Sequence, residues 1–164
     1  MRRSLASVLA AGALALVLTV SGCSSTSPMS VQGSMSLSSQ NTVLTKVGVD
    51  DSKTYGWNQL VGTTSTQIGD FSVVMLGNVN YDDGSGPFFG FLTLTAANGD
   101  HLAMRMDGGA TVESDGSTAL SSRLTVIDGS GQYVGSTGHG SFTGSRLAQI
   151  GAPIEITMTL GLDD

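Results

Sequence analysis

The sequence is poor in cysteine, in proline and above all in basic charge. Of its 164 residues one is cysteine, Cys23, so neither a disulfide within the chain nor a multi-cysteine metal site can form. Lys and Arg number 7 against 13 Asp and Glu. Binding a polyanion needs a patch of Lys and Arg, which this composition does not supply. We therefore expect no nucleic-acid partner and no electrostatic binding to anionic lipid headgroups.

Residue patterns for catalysis, metals and cofactors are also missing. The two histidines, His101 and His139, are far apart in the chain, and no cysteine ligand accompanies them. The glycine-rich stretch Leu124–Arg146 opens no apolar helix and contains no Gly-Lys-Ser, so it fits neither a dinucleotide fingerprint nor a phosphate loop. We predict that the protein binds no metal and no cofactor. A non-enzymatic protein fits the sequence better than an enzyme.

The N-terminal segment has the three parts of a bacterial export signal. Arg2 and Arg3 form a basic start, Leu5–Val20 is an apolar run too short to span a bilayer as a helix, and small residues follow. Val20-Ser21-Gly22-Cys23 resembles a lipobox, which implies cleavage after residue 22 and lipidation of Cys23. The alternative is an ordinary signal peptide that contains a cysteine.

These features predict an extracytoplasmic protein held in a bacterial envelope by acyl chains on Cys23. Without the signal, five basic residues face thirteen acidic ones, a formal charge of −8. Residues 23–28 read as a short Ser-rich tether, and residues 29–164 have the length of one domain.

The mature chain alternates apolar and polar residues with the period of strands. The pattern recurs in several segments separated by Gly-, Asn- and Asp-rich turns: Met29–Leu37, Phe71–Tyr81, Phe88–Leu94, Leu102–Met106, Ser121–Ile127 and Ile154–Leu162. About eight strands joined by short turns predict an all-β antiparallel fold, as a closed barrel or alternatively a β-sandwich. Helix is expected at most as one turn within residues 53–60, and Trp57 is expected in the core or at its rim.

Apolar residues between the glycines of Leu124–Arg146 exclude a disordered linker and favour a strand pair bent at glycines. Asp128–Phe142 resembles the Gly-Thr-Gly-x-aromatic-x-Gly-x-x-Gly segment of the allene oxide cyclase and dirigent barrel families, through Gly129, Gly131, Tyr133, Gly135 and Gly138. Gly99-Asp100 and the final strand are similar to those families too, so that the resemblance covers about residues 88–162. It implies a barrel whose interior can shape an apolar substrate, but no residue aligns with the cyclase's catalytic positions.

Three side chains are candidates for ligand binding. His101 and Arg105 share one face of a strand with Asp107, and Glu155 lies between threonines on its own face. If these faces pointed inward, the side chains would line a polar end of a cavity. Strand alternation favours the other orientation, toward solvent.

Two functions follow as expectations. The first is an envelope-anchored lipoprotein whose barrel binds a small apolar ligand or serves as a surface interaction module. The alternative is a cyclase-like or dirigent-like enzyme that shapes a reactive apolar intermediate inside the barrel.

Overall fold

A computed structural model describes residues 29–147 and 150–163, and they form a closed antiparallel barrel in which each strand pairs with its neighbours in sequence. The last strand pairs with the first and closes the ring. This confirms the barrel and excludes the sandwich. The eight strands are β1 (Met29–Val47), β2 (Lys53–Thr66), β3 (Gly69–Asp82), β4 (Gly86–Ala96), β5 (His101–Val112), β6 (Thr118–Gly129), β7 (Thr137–Arg146) and β8 (Ile154–Asp163).

Alternation along each strand builds the core. Inward positions carry Leu, Met, Val, Ile and Phe, and the same side of the backbone repeats at every second residue. The apolar residues that are almost fully buried include Leu37, Leu92, Leu94, Leu102, Met104, Met106, Leu124, Phe142, Met158 and Leu160. The rings of Phe88 and Phe142 stack across the lumen with centroids 6.1 Å apart. The barrel is therefore filled by side chains along most of its length.

Tight turns connect the strands where the sequence predicts them. In the β3–β4 hairpin, Asp83 and Gly84 both have positive φ, at 46° and 82°. The N–H of Asp82 donates to the Ser85 carbonyl (2.7 Å), and the N–H of Ser85 donates back to the Asp82 carbonyl (2.9 Å). This is the backbone form that matches the right-handed strand twist.

The glycine-rich stretch forms the end of β6, a single 3₁₀ turn at Gly131–Tyr133, and β7. Gly140 faces inward on β7, and a Cβ there would lie 2.2 Å from the Thr159 carbonyl oxygen of β8. Glycine thus lets the two strands approach closely, as the sequence predicts. The expectation of a helical turn within residues 53–60 is wrong, because β2 runs through this segment and pairs with both neighbours.

Consecutive antiparallel strands place their connections alternately at the two ends of the barrel. The proximal end carries the start of β1 at Met29 and the end of β8. The distal end carries the turns after β1, β3, β5 and β7. β1 pairs with β8 only through Met29–Leu37, so its distal part has a strand partner on the β2 side alone. This stagger leaves the distal lumen wider on one side.

Candidate functional site

The three side chains predicted to bind a ligand lie on the outside of the barrel. Arg105 and Glu155 are exposed, and the Nε of Arg105 donates to Asp107 at 3.1 Å. His101 is half-buried at the proximal end, where its Nδ1 lies 2.8 Å from the Ser130 hydroxyl. The structure does not bring them together in a cavity, and their role in binding stays a prediction.

The interior offers little room. The inner cavity measures about 50 Å³ and is bounded mainly by apolar side chains, among them Leu60, Met75, Phe88, Met106 and Phe142. Small-molecule sites usually measure roughly 300–1,000 Å³. A sizeable apolar ligand would therefore have to displace core side chains.

A layer of polar residues lies at the distal end of the lumen, where four of them are buried and the fifth, Lys46, is exposed at the rim. The register places Lys46 beside Thr54 and Thr54 beside Tyr81, across β1, β2 and β3. On the other side, Thr118 of β6 lies opposite Arg146 of β7. We call these five residues, Lys46, Thr54, Tyr81, Thr118 and Arg146, the distal polar layer. The Arg146 guanidinium lies over the Tyr81 ring, with its Cζ 5.7 Å from the ring centroid.

Burial is the main cause of the pKa shifts of Arg146 and Tyr81 in this layer. Arg146 is only 7% exposed, and burial lowers the pKa of its guanidinium while Tyr81 opposes the shift. Burial likewise raises the pKa of the Tyr81 hydroxyl, and the positive charge of Arg146 counteracts part of that rise. Nε of Arg146 is buried and has no hydrogen-bond partner among the described residues. The layer thus holds a desolvated cation with unused hydrogen-bonding capacity.

A second feature lies on the outer wall, across β1 to β4. We call it the aromatic patch, and it consists of Val43, Tyr55, Trp57, Leu76, Phe89 and Phe91, each between 38% and 53% exposed. It contains every exposed aromatic side chain of the described residues. The patch is coherent because the register aligns Trp57 with Val43 and Leu76 with Phe91. Trp57 therefore lies on the outer wall, and its expected place in the core or at its rim is wrong.

Polar side chains border the aromatic patch. An open groove of about 520 Å³ runs between its members Trp57 and Phe91 and reaches Arg105 and Asp107 on β5. Arg123 of β6 lies opposite Asp107 in the register. Apolar and aromatic side chains with an arginine-containing polar border are characteristic of protein interfaces.

Sequence reasoning missed both the distal polar layer and the aromatic patch. One signal for the first was available, because Arg146 has the same strand parity as Phe142 and must share its inward face. The aromatic patch depends on the register of four strands, which no single segment reveals.

No protein-family model matches the chain, and no curated protein proves significantly similar to it. The resemblance to allene oxide cyclase and dirigent barrels therefore stays a prediction. Residues 1–28, with the predicted signal and the lipidation site Cys23, lie outside the described residues. Within the described part of the chain, no helix is long and apolar enough to cross a membrane. In that same part, no three His, Asp or Glu side chains gather as metal ligands.

Proposed function

We propose that this protein is a lipid-anchored, non-enzymatic module of a bacterial envelope, and that its barrel presents the aromatic patch to another envelope protein. The observation that carries the proposal is the gathering of all four exposed aromatic side chains of the described residues on one outer surface. Contiguous exposed apolar surface bordered by polar groups marks interaction sites on soluble domains.

The chemistry of the border suggests what kind of partner fits. Arg105 and Arg123 flank the aromatic patch on the β5–β6 side, with Asp107 between them. A partner that inserts apolar side chains between Trp57 and Phe91 and places carboxylates around them would match both features.

The packed interior supports the non-enzymatic part of the proposal. Met, Leu and Phe fill the lumen, and Arg105 and Glu155 point away from it. The cyclase-like alternative needs a cavity that holds an intermediate with polar groups beside it. The distal polar layer and the cavity of about 420 Å³ beside it are the features of the described barrel that favour it, but among the described residues no carboxylate lines that cavity, and the inner cavity holds only about 50 Å³.

Site-specific photo-crosslinking in living cells tests the interaction surface. A benzophenone amino acid at Phe91 is expected to crosslink to a second protein. The same probe at Thr157, exposed on β8 across the barrel, is expected not to. Replacing Trp57 and Phe89 with serine should abolish the product, and the fold should persist because both side chains lie on the outer wall and outside the core. Equal products from Phe91 and Thr157, or a product insensitive to the serine variant, would contradict the proposal.

The anchor is tested separately. Cys23→Ala should leave unprocessed precursor and abolish acyl labelling. Labelling that persists in this variant would refute lipidation at Cys23.

A further inference from the structure

The distal polar layer opens into a second cavity that collects positive charge. The cavity measures about 420 Å³ and contains two of the five basic residues of the predicted mature chain, Lys46 and Arg146. Within residues 29–147 and 150–163, no carboxylate lines it. The remaining lining combines aliphatic side chains, glycines and two hydroxyls: Leu44, Thr54, Gly84, Val112, Gly116, Thr118 and Ile150.

Tyr81 interacts with the Arg146 guanidinium through its charge and a side-chain hydrogen bond, but Nε of Arg146 has no acceptor among the described residues. The ion pairs found in the described part of the chain, Lys53–Asp82 and Arg105–Asp107, lie on the surface and involve neither Arg146 nor Lys46. Buried N–H donors are almost always hydrogen-bonded, and buried charges are normally paired. An unpartnered Nε on a side chain that is 93% buried is therefore a feature that a bound anion would satisfy.

We propose that the distal cavity binds a phosphate monoester, with the phosphate group held between Arg146 and Lys46. Near neutral pH a phosphate monoester carries about −1.5 to −2 charges, which matches two cations better than a carboxylate does. The guanidinium fork of Arg146 suits a phosphate bidentately, and the Thr54 and Thr118 hydroxyls add donors. The organic part of the ester would pack against Leu44, Val112 and Ile150.

The surroundings of the distal cavity restrict the ligand to a small molecule. Its volume lies within the range of roughly 300–1,000 Å³ that is usual for small-molecule sites. The end of β3 and the turns after β1, β3 and β5 carry six carboxylates: Asp50, Asp51, Asp82, Asp83, Glu113 and Asp115. They repel the charges of a polyanion that lie outside the cavity, whereas a single phosphate group inside it would lie between Arg146 and Lys46. If the proposed anchor on Cys23 is correct, this end also faces away from the protein's own bilayer, and the ester comes from solution.

Calorimetry on the purified full-length protein in detergent tests the site, with phenyl phosphate, inorganic phosphate and benzoate as probes. Phenyl phosphate should bind at least about tenfold more tightly than benzoate. Arg146→Met should weaken phenyl phosphate binding by at least about tenfold, and Lys46→Gln by a few-fold. Lys53→Gln removes the same charge from an exposed residue that does not line the cavity, and should leave the affinity unchanged. Below a pH of roughly 6, affinity should fall as the phosphate loses its second charge.

Several outcomes would overturn the proposal. These are equal affinities for benzoate and phenyl phosphate, the same loss in Lys53→Gln as in Arg146→Met, or affinity that does not change below pH roughly 6. Stronger binding to vesicles containing phosphatidic acid than to phenyl phosphate would replace the soluble ester with a lipid headgroup. If Arg146→Met fails to fold, Lys46→Gln and the pH series decide, because both leave Arg146 in place. None of these tests depends on the aromatic patch.

Discussion

Replacing Arg146 with methionine should make the ligand-free protein more stable. Burying an uncompensated cation costs several kcal/mol even after relaxation, and hydrophobic replacement of buried ionic groups often stabilises by about 1–4 kcal/mol. The variant loses the interaction with the Tyr81 ring, which contributes about 0.5–2 kcal/mol. The aliphatic part of the side chain is retained. We expect a net gain of about 1–2 kcal/mol in the free energy of unfolding.

Urea denaturation in a phosphate-free buffer measures this gain. Trp57 is the single tryptophan of the chain and reports by fluorescence, while far-ultraviolet circular dichroism reports on the barrel as a second probe. Arg105→Met is the matched control, since its guanidinium is exposed, and it should stay near wild type. Destabilisation of the Arg146 variant by more than about 1 kcal/mol would refute the reasoning. Such a result would mean that Arg146 stabilises the core and is not an unpaired cation that binds a ligand.

Three further substitutions test the barrel itself. Gly140→Ala should lower the free energy of unfolding in urea by about 1–3 kcal/mol, because the added Cβ meets the Thr159 carbonyl. Gly109→Ala is the control and should be close to neutral, since its Cβ would have its nearest contact at 3.7 Å. Equal effects of the two substitutions would contradict the close approach of the strands at Gly140. Phe142→Ala should cost about 3–5 kcal/mol by chemical denaturation, since it enlarges the inner cavity, and a loss under 1 kcal/mol would show that the lumen repacks. Burial raises the pKa of Tyr81, so its stabilising contribution is present below a pH of about 10 and is lost as pH rises through the folded-state pKa. Unfolding curves at alkaline pH should therefore show a smaller loss of stability for Tyr81→Phe than for the wild type. Identical losses would refute the assignment.

The all-β barrel followed from the sequence because six of its eight strands carry a local signal of their own. Period-two alternation identifies the inward face of β8 from Ile154 to Leu162 without knowledge of its neighbours, and Asp83-Gly84 specifies a tight hairpin. The helical turn expected near Trp57 failed because pairing on both sides of β2 outweighs a weak local pattern.

The candidate sites were harder to predict because they depend on register and stagger. The aromatic patch exists only because the register places Leu76 beside Phe91 and Trp57 beside Val43. The sequence of the separate segments does not predict that register. The distal cavity lies where β1 continues beyond its pairing with β8. That pairing ends at Leu37 and Ile154, whereas β1 runs on to Val47. Arg146 alone could have been placed, through its parity with Phe142.

The start of β1 and the end of β8 lie side by side, and this has a practical consequence for fusing a fluorescent reporter to the protein. Met29 and Leu162 are directly paired, so a reporter fused after β8 would emerge beside the start of β1. If Cys23 carries the proposed fatty chains, such a fusion would lie between the barrel and the bilayer. The β1–β2 turn is the better insertion point, because Val49 there is fully exposed, residues 48–52 do not line the distal cavity, and the opposite rim of the molecule would carry the label.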